Sequence, residues 1–230
     1  MLARGLNAPC HTIESPHVFP DASSAAPFVI DQNFAQSVRY QQVYGASDFQ
    51  AQGGGAARFL VTGMTFGAAT DSAGISAFLP NVRIDFSTTQ NGPDTLSPVF
   101  SSNIGSDNLT VYSGSLDFVR LPNGVIQFQQ PFLYDSRLGN LLMDVRNFQT
   151  TLSNPMGIMR LAAVDALGDS TSFVGALDVN ATTAPFVRTL GLWTRFNVTP
   201  VPEPSGAWLL LGGIVPVWLF ARRQTRRKEG

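Results

Sequence analysis

The residues able to do chemistry are few, and their positions narrow what the chain can do. Its only histidines, His11 and His17, and its only cysteine, Cys10, all lie close to the N-terminus. A Ser-His or Cys-His nucleophile needs an imidazole beside the attacking atom, and a His-ligated zinc needs more than one, so neither design is expected in the body of the chain. One cysteine allows no internal disulfide, and Met1 to Pro9 lacks the apolar stretch that would precede a lipid-modified Cys10. Paired carboxylates are the remaining hydrolytic design, and a glycoside hydrolase here would have to use aspartates such as Asp85, Asp117, Asp135, Asp144 or Asp178. These recur at strand ends and turns, where a solvated, turn-making role is the plainer expectation. Gly53, Gly54 and Gly55 precede neither a phosphate-loop Lys-Ser/Thr nor a dinucleotide spacing and read as a loop.

Binding chemistry is better represented. Asn103 to Asn108 (NIGSDN) and Asp165 to Asp169 (DALGD) offer the clustered oxygens that a hard cation takes, although neither matches an EF-hand loop. Both are also ordinary turn sequences, so a structural calcium stays an alternative and no other cofactor or metal is expected. Tyr40, Tyr44, Tyr112, Tyr134 and Trp193 could stack on sugar rings, with Trp193 and Tyr134 the candidate glycan contacts; burial in a core or under a loop is the competing reading. A formal charge of −1 with scattered basic residues gives no bulk attraction to nucleic acid.

The elements that must position these groups read as strands. Charged residues make up 13% of the chain, Lys228 is the only lysine, and no Glu lies between Glu14 and Glu203, so good helix formers are scarce. From Asn81 to Thr88, Val82, Ile84 and Phe86 alternate with Arg83, Asp85 and Ser87, which predicts one buried and one wet face. Further strands are predicted over Arg39 to Tyr44, Ala56 to Phe66, Val125 to Phe132, Leu141 to Phe148, Ile158 to Asp165, Ser172 to Leu177 and Leu192 to Val198. A hairpin is expected across Ser113-Gly114. Short strands punctuated this often argue for an all-β, antiparallel β-sandwich of jelly-roll type over residues 28–199.

The C-terminal thirty residues have a different character. Ala207 to Ala221 (AWLLLGGIVPVWLFA) carries no charge and favours lipid, although about 22 Å of helix falls short of the roughly 30 Å hydrocarbon slab. Arg222, Arg223, Arg226, Arg227 and Lys228 follow it and would hold that end in the cytoplasm. The expected organisation is a leader (1–27), a β-domain (28–199), a linker (200–206), one transmembrane helix (207–221) and a basic tail (222–230).

The order Val201, Pro202, Glu203, Pro204, Ser205, then a short apolar helix, then an Arg cluster resembles the PEP-CTERM sorting signal of Gram-negative bacteria. That resemblance implies recognition by a membrane transpeptidase, an exosortase, in the inner membrane, cleavage near Pro202 to Pro204, and delivery of the domain to the cell surface, often alongside exopolysaccharide production. RYQQVYGASDF (39–49), FSTT (86–89), PFLYD and GNLLMDVRNF (131–148) and VNATT (179–183) resemble a recurrent domain found in front of such signals, for which no enzymatic activity is implied. Export also needs a signal peptide, yet residues 1–27 contain no apolar h-region; the leader is expected to be unstructured and the true start to lie upstream or the gene to be truncated. The functional expectation is a non-enzymatic, exported envelope or matrix protein with a structural or adhesive domain. A carbohydrate-binding module is the first alternative and an Asp-dependent glycoside hydrolase the second.

Overall fold

The alternation centred on Ile84 becomes the longest strand among the described residues, Phe78–Thr89, with Val82, Ile84 and Phe86 turned into the core. A computed structural model describes residues 11–17, 25–30, 38–67, 78–117, 124–148 and 159–202, with the backbone alone for 25–30 and 159–160. Met1–Pro200 forms one unit and Val201–Gly230 another, of which only Val201 and Pro202 are described.

Within the first unit the order is β1 (His11–Ser15), β2 (Ala25–Ile30), β3 (Val38–Tyr44), helix α1 (Ala46–Gln52), β4 (Arg58–Phe66), β5 (Phe78–Thr89), a 3-10 turn (Phe100–Ser102), β6 (Leu109–Asp117), β7 (Ile126–Asp135) and β8 (Asn140–Asn147). Five strands complete it: β9 (Met159–Asp165), β10 (Thr171–Ala176), β11 (Phe186–Arg188), β12 (Leu190–Leu192) and β13 (Thr194–Pro200). The fold is all-β, and the strands pair antiparallel. One sheet runs β1, β13, β4, β7; a second runs β11, β10, β3, β8, β5, β6; a third runs β12, β9, β2.

Side chains from the four- and six-stranded sheets share one core. Phe196 of β13 lies edge-on to Tyr44 of β3 at 4.9 Å and to Phe86 of β5 at 6.2 Å, while Phe86 meets Phe132 of β7 at 5.9 Å. Phe49 of α1 enters the same group, 4.8 Å from Tyr134 and 5.4 Å from Phe196. Such tilted and edge-on contacts add about 0.5–1.5 kcal/mol per pair beyond the area buried. A seven-residue helix is too short to be stable by propensity, so this packing and the side-chain ties described below hold α1 in place.

The predicted wet face of the six-stranded sheet is covered over part of its extent, although Arg83 keeps 41% of its side chain exposed. Val43, Leu142 and Val174 on that side pack against Leu96, Phe100 and Ala184 from the connecting segments, forming a second apolar cluster. Asp85 and Ser87, expected in solvent, are also buried. Alternation identifies two faces but not what covers the second of them.

Other expectations change with pairing. His11–Ser15, placed in an unstructured leader, is an ordered strand: β1 pairs with β13 from His11↔Val198 to Ser15↔Thr194, and Ile13 is fully buried. Ser113-Gly114 is not a hairpin turn but an irregularity within β6, where the register with β5 shifts beside the Val82↔Gly114 pair and Gly114 takes a φ of +156°. The predicted strand Leu192 to Val198 breaks at Trp193, because β12 pairs with β9 whereas β13 pairs with β1 and β4. No helix among the described residues is long and apolar enough to cross a membrane, and the expected span Ala207 to Ala221 lies outside them.

Candidate functional site

The N-terminal strand and α1 bring together the groups that sequence reasoning had set aside. Asp48 sits in the first turn of α1 and is fully buried, although α1 has no side-chain cap. Its Oδ2 accepts a hydrogen bond from Ser15 Oγ at 2.5 Å, and its Oδ1 lies 2.7 Å from Nδ1 of the half-exposed His17. Gln52, one turn on, donates from Nε2 to the Glu14 carbonyl at 2.7 Å and accepts from the Glu14 N–H at 3.0 Å, so an amide side chain completes β1 like a strand partner. His11 Nε2 meets the Gln52 carbonyl at 2.8 Å. Thus both histidines belong to the folded unit, contrary to the expectation that it holds no imidazole.

Geometry decides what this cluster can do. In a hydrolytic triad the hydroxyl meets the imidazole, and the carboxylate lies behind the ring. Here Ser15 and His17 each approach a different oxygen of Asp48, so the carboxylate restrains both and the hydroxyl proton goes to Asp48. The arrangement is a clasp joining strand to helix. Asp48→Ala is expected to cost about 1–3 kcal/mol by leaving the buried Ser15 hydroxyl unpartnered. Hydrogen exchange of the β1 amides should accelerate in that variant while β5 and β8 stay protected; equal loosening of all three would show a global role instead.

The glycan candidates fare differently. Tyr134 is fully buried, its hydroxyl donating to the Gly139 carbonyl at 2.8 Å, so the inward side of β7 removes it from any ligand. Tyr40 and Tyr44 are also core residues, and burial pushes their hydroxyls, like that of Tyr134, up from the ordinary phenol range. Trp193 is half-buried at the junction of β12 and β13. The Arg195 guanidinium stands 5.2 Å from its ring centroid, and a Cβ on Gly67 would come within 2.5 Å of the ring, so Gly67 provides the space that the indole occupies. Arg195 also pairs with Glu14 at 2.7 Å across the β1–β13 register.

The oxygen-rich turns are occupied by their own chain. Asn103 is buried, donating to Gln41 Oε1 and the Ser97 carbonyl while accepting from Asn91 Nδ2 and the Ser97 N–H. Asp107 accepts from the Thr88 N–H and hydroxyl. Among the described residues no group of three or more His, Cys, Asp or Glu is arranged to hold a metal ion. Asp85 and Asp144, cross-strand neighbours on β5 and β8, are both buried; Asp85 accepts from Arg83 and Thr110, and Asp144 from Arg39 and Gln41.

Asp169 accepts from the Thr171 N–H and hydroxyl, yet its carboxyl is raised from 3.8 to about 6, chiefly by desolvation. A carboxyl raised in the fold binds its proton more tightly there than in the unfolded chain, so its contribution is lost as pH rises from about 4 to 6. Partial exposure to solvent limits the effect to about 1 kcal/mol. Urea melts across this window should show a declining stability component absent from Asp169→Asn; identical slopes in the two proteins would refute it.

Of the sorting motif, Val201 is half-buried and Pro202 exposed just beyond β13. Glu203, Pro204 and Ser205, and the basic cluster Arg222 to Lys228, lie outside the described residues. Compared with known proteins, the chain matches no family model, no curated protein and no solved structure.

Proposed function

We propose that the protein is an exported, non-enzymatic component of the cell envelope or extracellular matrix, carrying a PEP-CTERM signal that an exosortase processes. The observation that carries this reading is the succession of Pro202-Glu203-Pro204, the apolar run Ala207 to Ala221 and the cluster Arg222 to Lys228 at the C-terminus. The end of β13 at Pro200 supports it, since the motif then begins where strand pairing stops. In this reading the precursor sits in the inner membrane with its basic end in the cytoplasm, and the mature domain reaches the surface.

The domain is read as a jelly-roll sandwich. Taking β1, β3 to β8 and β13 as its eight strands, one sheet has the order first, eighth, third, sixth and the facing sheet second, seventh, fourth, fifth. This is the nesting produced when a long antiparallel hairpin is wound into two sheets. Of the additional strands, β9 to β12 then form an insertion before the last strand, and β2, between the first and second, joins them through β9. Such a scaffold suits a structural or adhesive role, and fold alone assigns no ligand. A carbohydrate-binding role is the second reading, favoured by the half-buried Trp193 beside Arg195.

Mass spectrometry of the surface fraction from an exosortase-bearing host, with a working signal peptide supplied, tests the main reading. The mature form should lack everything after the Glu203 region. Intact peptides spanning Ala207 to Arg222 in the mature protein would indicate a permanent anchor and overturn it.

A further inference from the structure

The outer face of the six-stranded sheet carries a row of like charges. Arg39 on β3 lies opposite Arg146 on β8, Arg146 lies opposite Arg83 on β5, and Arg83 lies opposite Ser113 on β6. Adjacent strands are about 4.7–4.9 Å apart, and like charges directly opposite one another destabilise a sheet. Arg39 is fully engaged: Nη2 donates to Asp144 Oδ2 at 2.8 Å, Nη1 donates to the Ala181 carbonyl at 3.1 Å, and its guanidinium stacks 4.4 Å from the Phe100 centroid. Arg83 donates from Nε to Asp85 Oδ1 at 2.8 Å and keeps 41% of its side chain exposed.

Arg146, in the middle, is the exception. Its Nε is buried with no hydrogen-bond partner among the described residues, and Asp144 Oδ1 is 4.0 Å away, although 30% of the side chain reaches solvent. Asp144 is already taken by Arg39 and Gln41, and Asp85 by Arg83 and Thr110. Three guanidiniums therefore share two carboxylates; Arg146 keeps only the long 4.0 Å pair with Asp144, and the row carries one positive charge in excess.

We propose that Arg146 and Arg83, with the Ser113 hydroxyl beside them, form a binding site for the carboxylate of an acidic polysaccharide. A single excess positive charge matches a monoanion, and guanidinium donors suit the planar carboxylate of a uronic acid. The choice of a polymer rests on the envelope reading above, whereas the charge geometry does not. Because the ligand supplies the missing anion, the site exchanges stability of the empty protein for affinity.

Thermal melts and calorimetric titrations of the full-length chain in neutral detergent, at low ionic strength, test this with polygalacturonate, free galacturonate and neutral dextran. Polygalacturonate should raise the melting temperature, free galacturonate should do so only at higher concentration, and dextran should have no effect. Arg146→Gln should melt at or above the wild-type temperature without ligand and bind polygalacturonate about tenfold or more weakly. Arg188→Gln, on the exposed edge strand β11, should bind as the wild type does. Undiminished binding by Arg146→Gln, equal loss in Arg188→Gln, or no binding by the wild type would overturn the site. A response to galacturonate without any to the polymer would overturn the polysaccharide assignment. Every measurement uses unprocessed chain, so failure of the sorting reading would not alter these results.

Discussion

Replacement of Asp144 by Ala is expected to remove about 3–5 kcal/mol of stability, a large part of the roughly 5–15 kcal/mol available to a domain. Asp144 is 2% exposed and Arg39 9%, and the carboxylate accepts from Arg39 Nη2 at 2.8 Å and Nε at 3.4 Å and from Gln41 Nε2 at 2.8 Å. Without it, the Arg39 guanidinium keeps only the Ala181 carbonyl and the Phe100 face, too little to replace the lost hydration of a cation. The cost arises from the stranded charge, not from any large net gain made by the pair. Accordingly Arg39→Met combined with Asp144→Leu should recover much of the loss, since an apolar pair of similar volume carries no desolvation penalty. Urea denaturation of the two single variants and the double variant checks this. A single-variant loss under about 1 kcal/mol would refute the stranded-charge account.

Glu203→Ala is expected to abolish processing and leave the precursor in the inner membrane. Pro202 and Pro204 restrict the backbone to extended conformations that a protease cleft accepts, and Glu203 is the one charged side chain between them. In the proposed reading the basic cluster acts separately: an Arg at the bilayer centre costs roughly 2.5–3.5 kcal/mol on insertion scales, so several in succession would stop translocation and leave the motif at the outer face. Replacement of Arg226 and Arg227 alone should therefore matter little while Arg222 and Arg223 remain. Immunoblots of membrane and surface fractions distinguish the variants, and surface delivery of Glu203→Ala at wild-type levels would contradict the proposed recognition.

Local pattern was sufficient wherever one segment specified its own state. Val82, Ile84 and Phe86 alternate with polar residues, and a strand with that pattern has an apolar side that must be covered whatever its neighbours are. The same holds for the strand-rich composition. Most β-strands fell near their expected positions for this reason. The short helix α1 did not, because packing of Phe49 and hydrogen bonds from Asp48 and Gln52 hold it, not its own periodicity.

What only the tertiary structure decided is who meets whom. Arg39 and Asp144 are 105 residues apart, His17 and Asp48 are 31 apart, and Glu14 reaches Arg195 across 181 residues. No periodicity carries that information, since it depends on which strands lie side by side. Tyr134 and Trp193 looked alike as aromatic candidates, yet the first faces the shared core and the second sits where the chain passes from one sheet to another. Asp85 looked solvated, yet it is buried and accepts from Arg83 on its own strand and Thr110 on β6. The row Arg39, Arg146, Arg83 exists only because β3, β8 and β5 are neighbours in register. Alternation assigns each side chain a direction; the sheet order decides whether that direction leads to water, to a partner or to a neighbour of like charge.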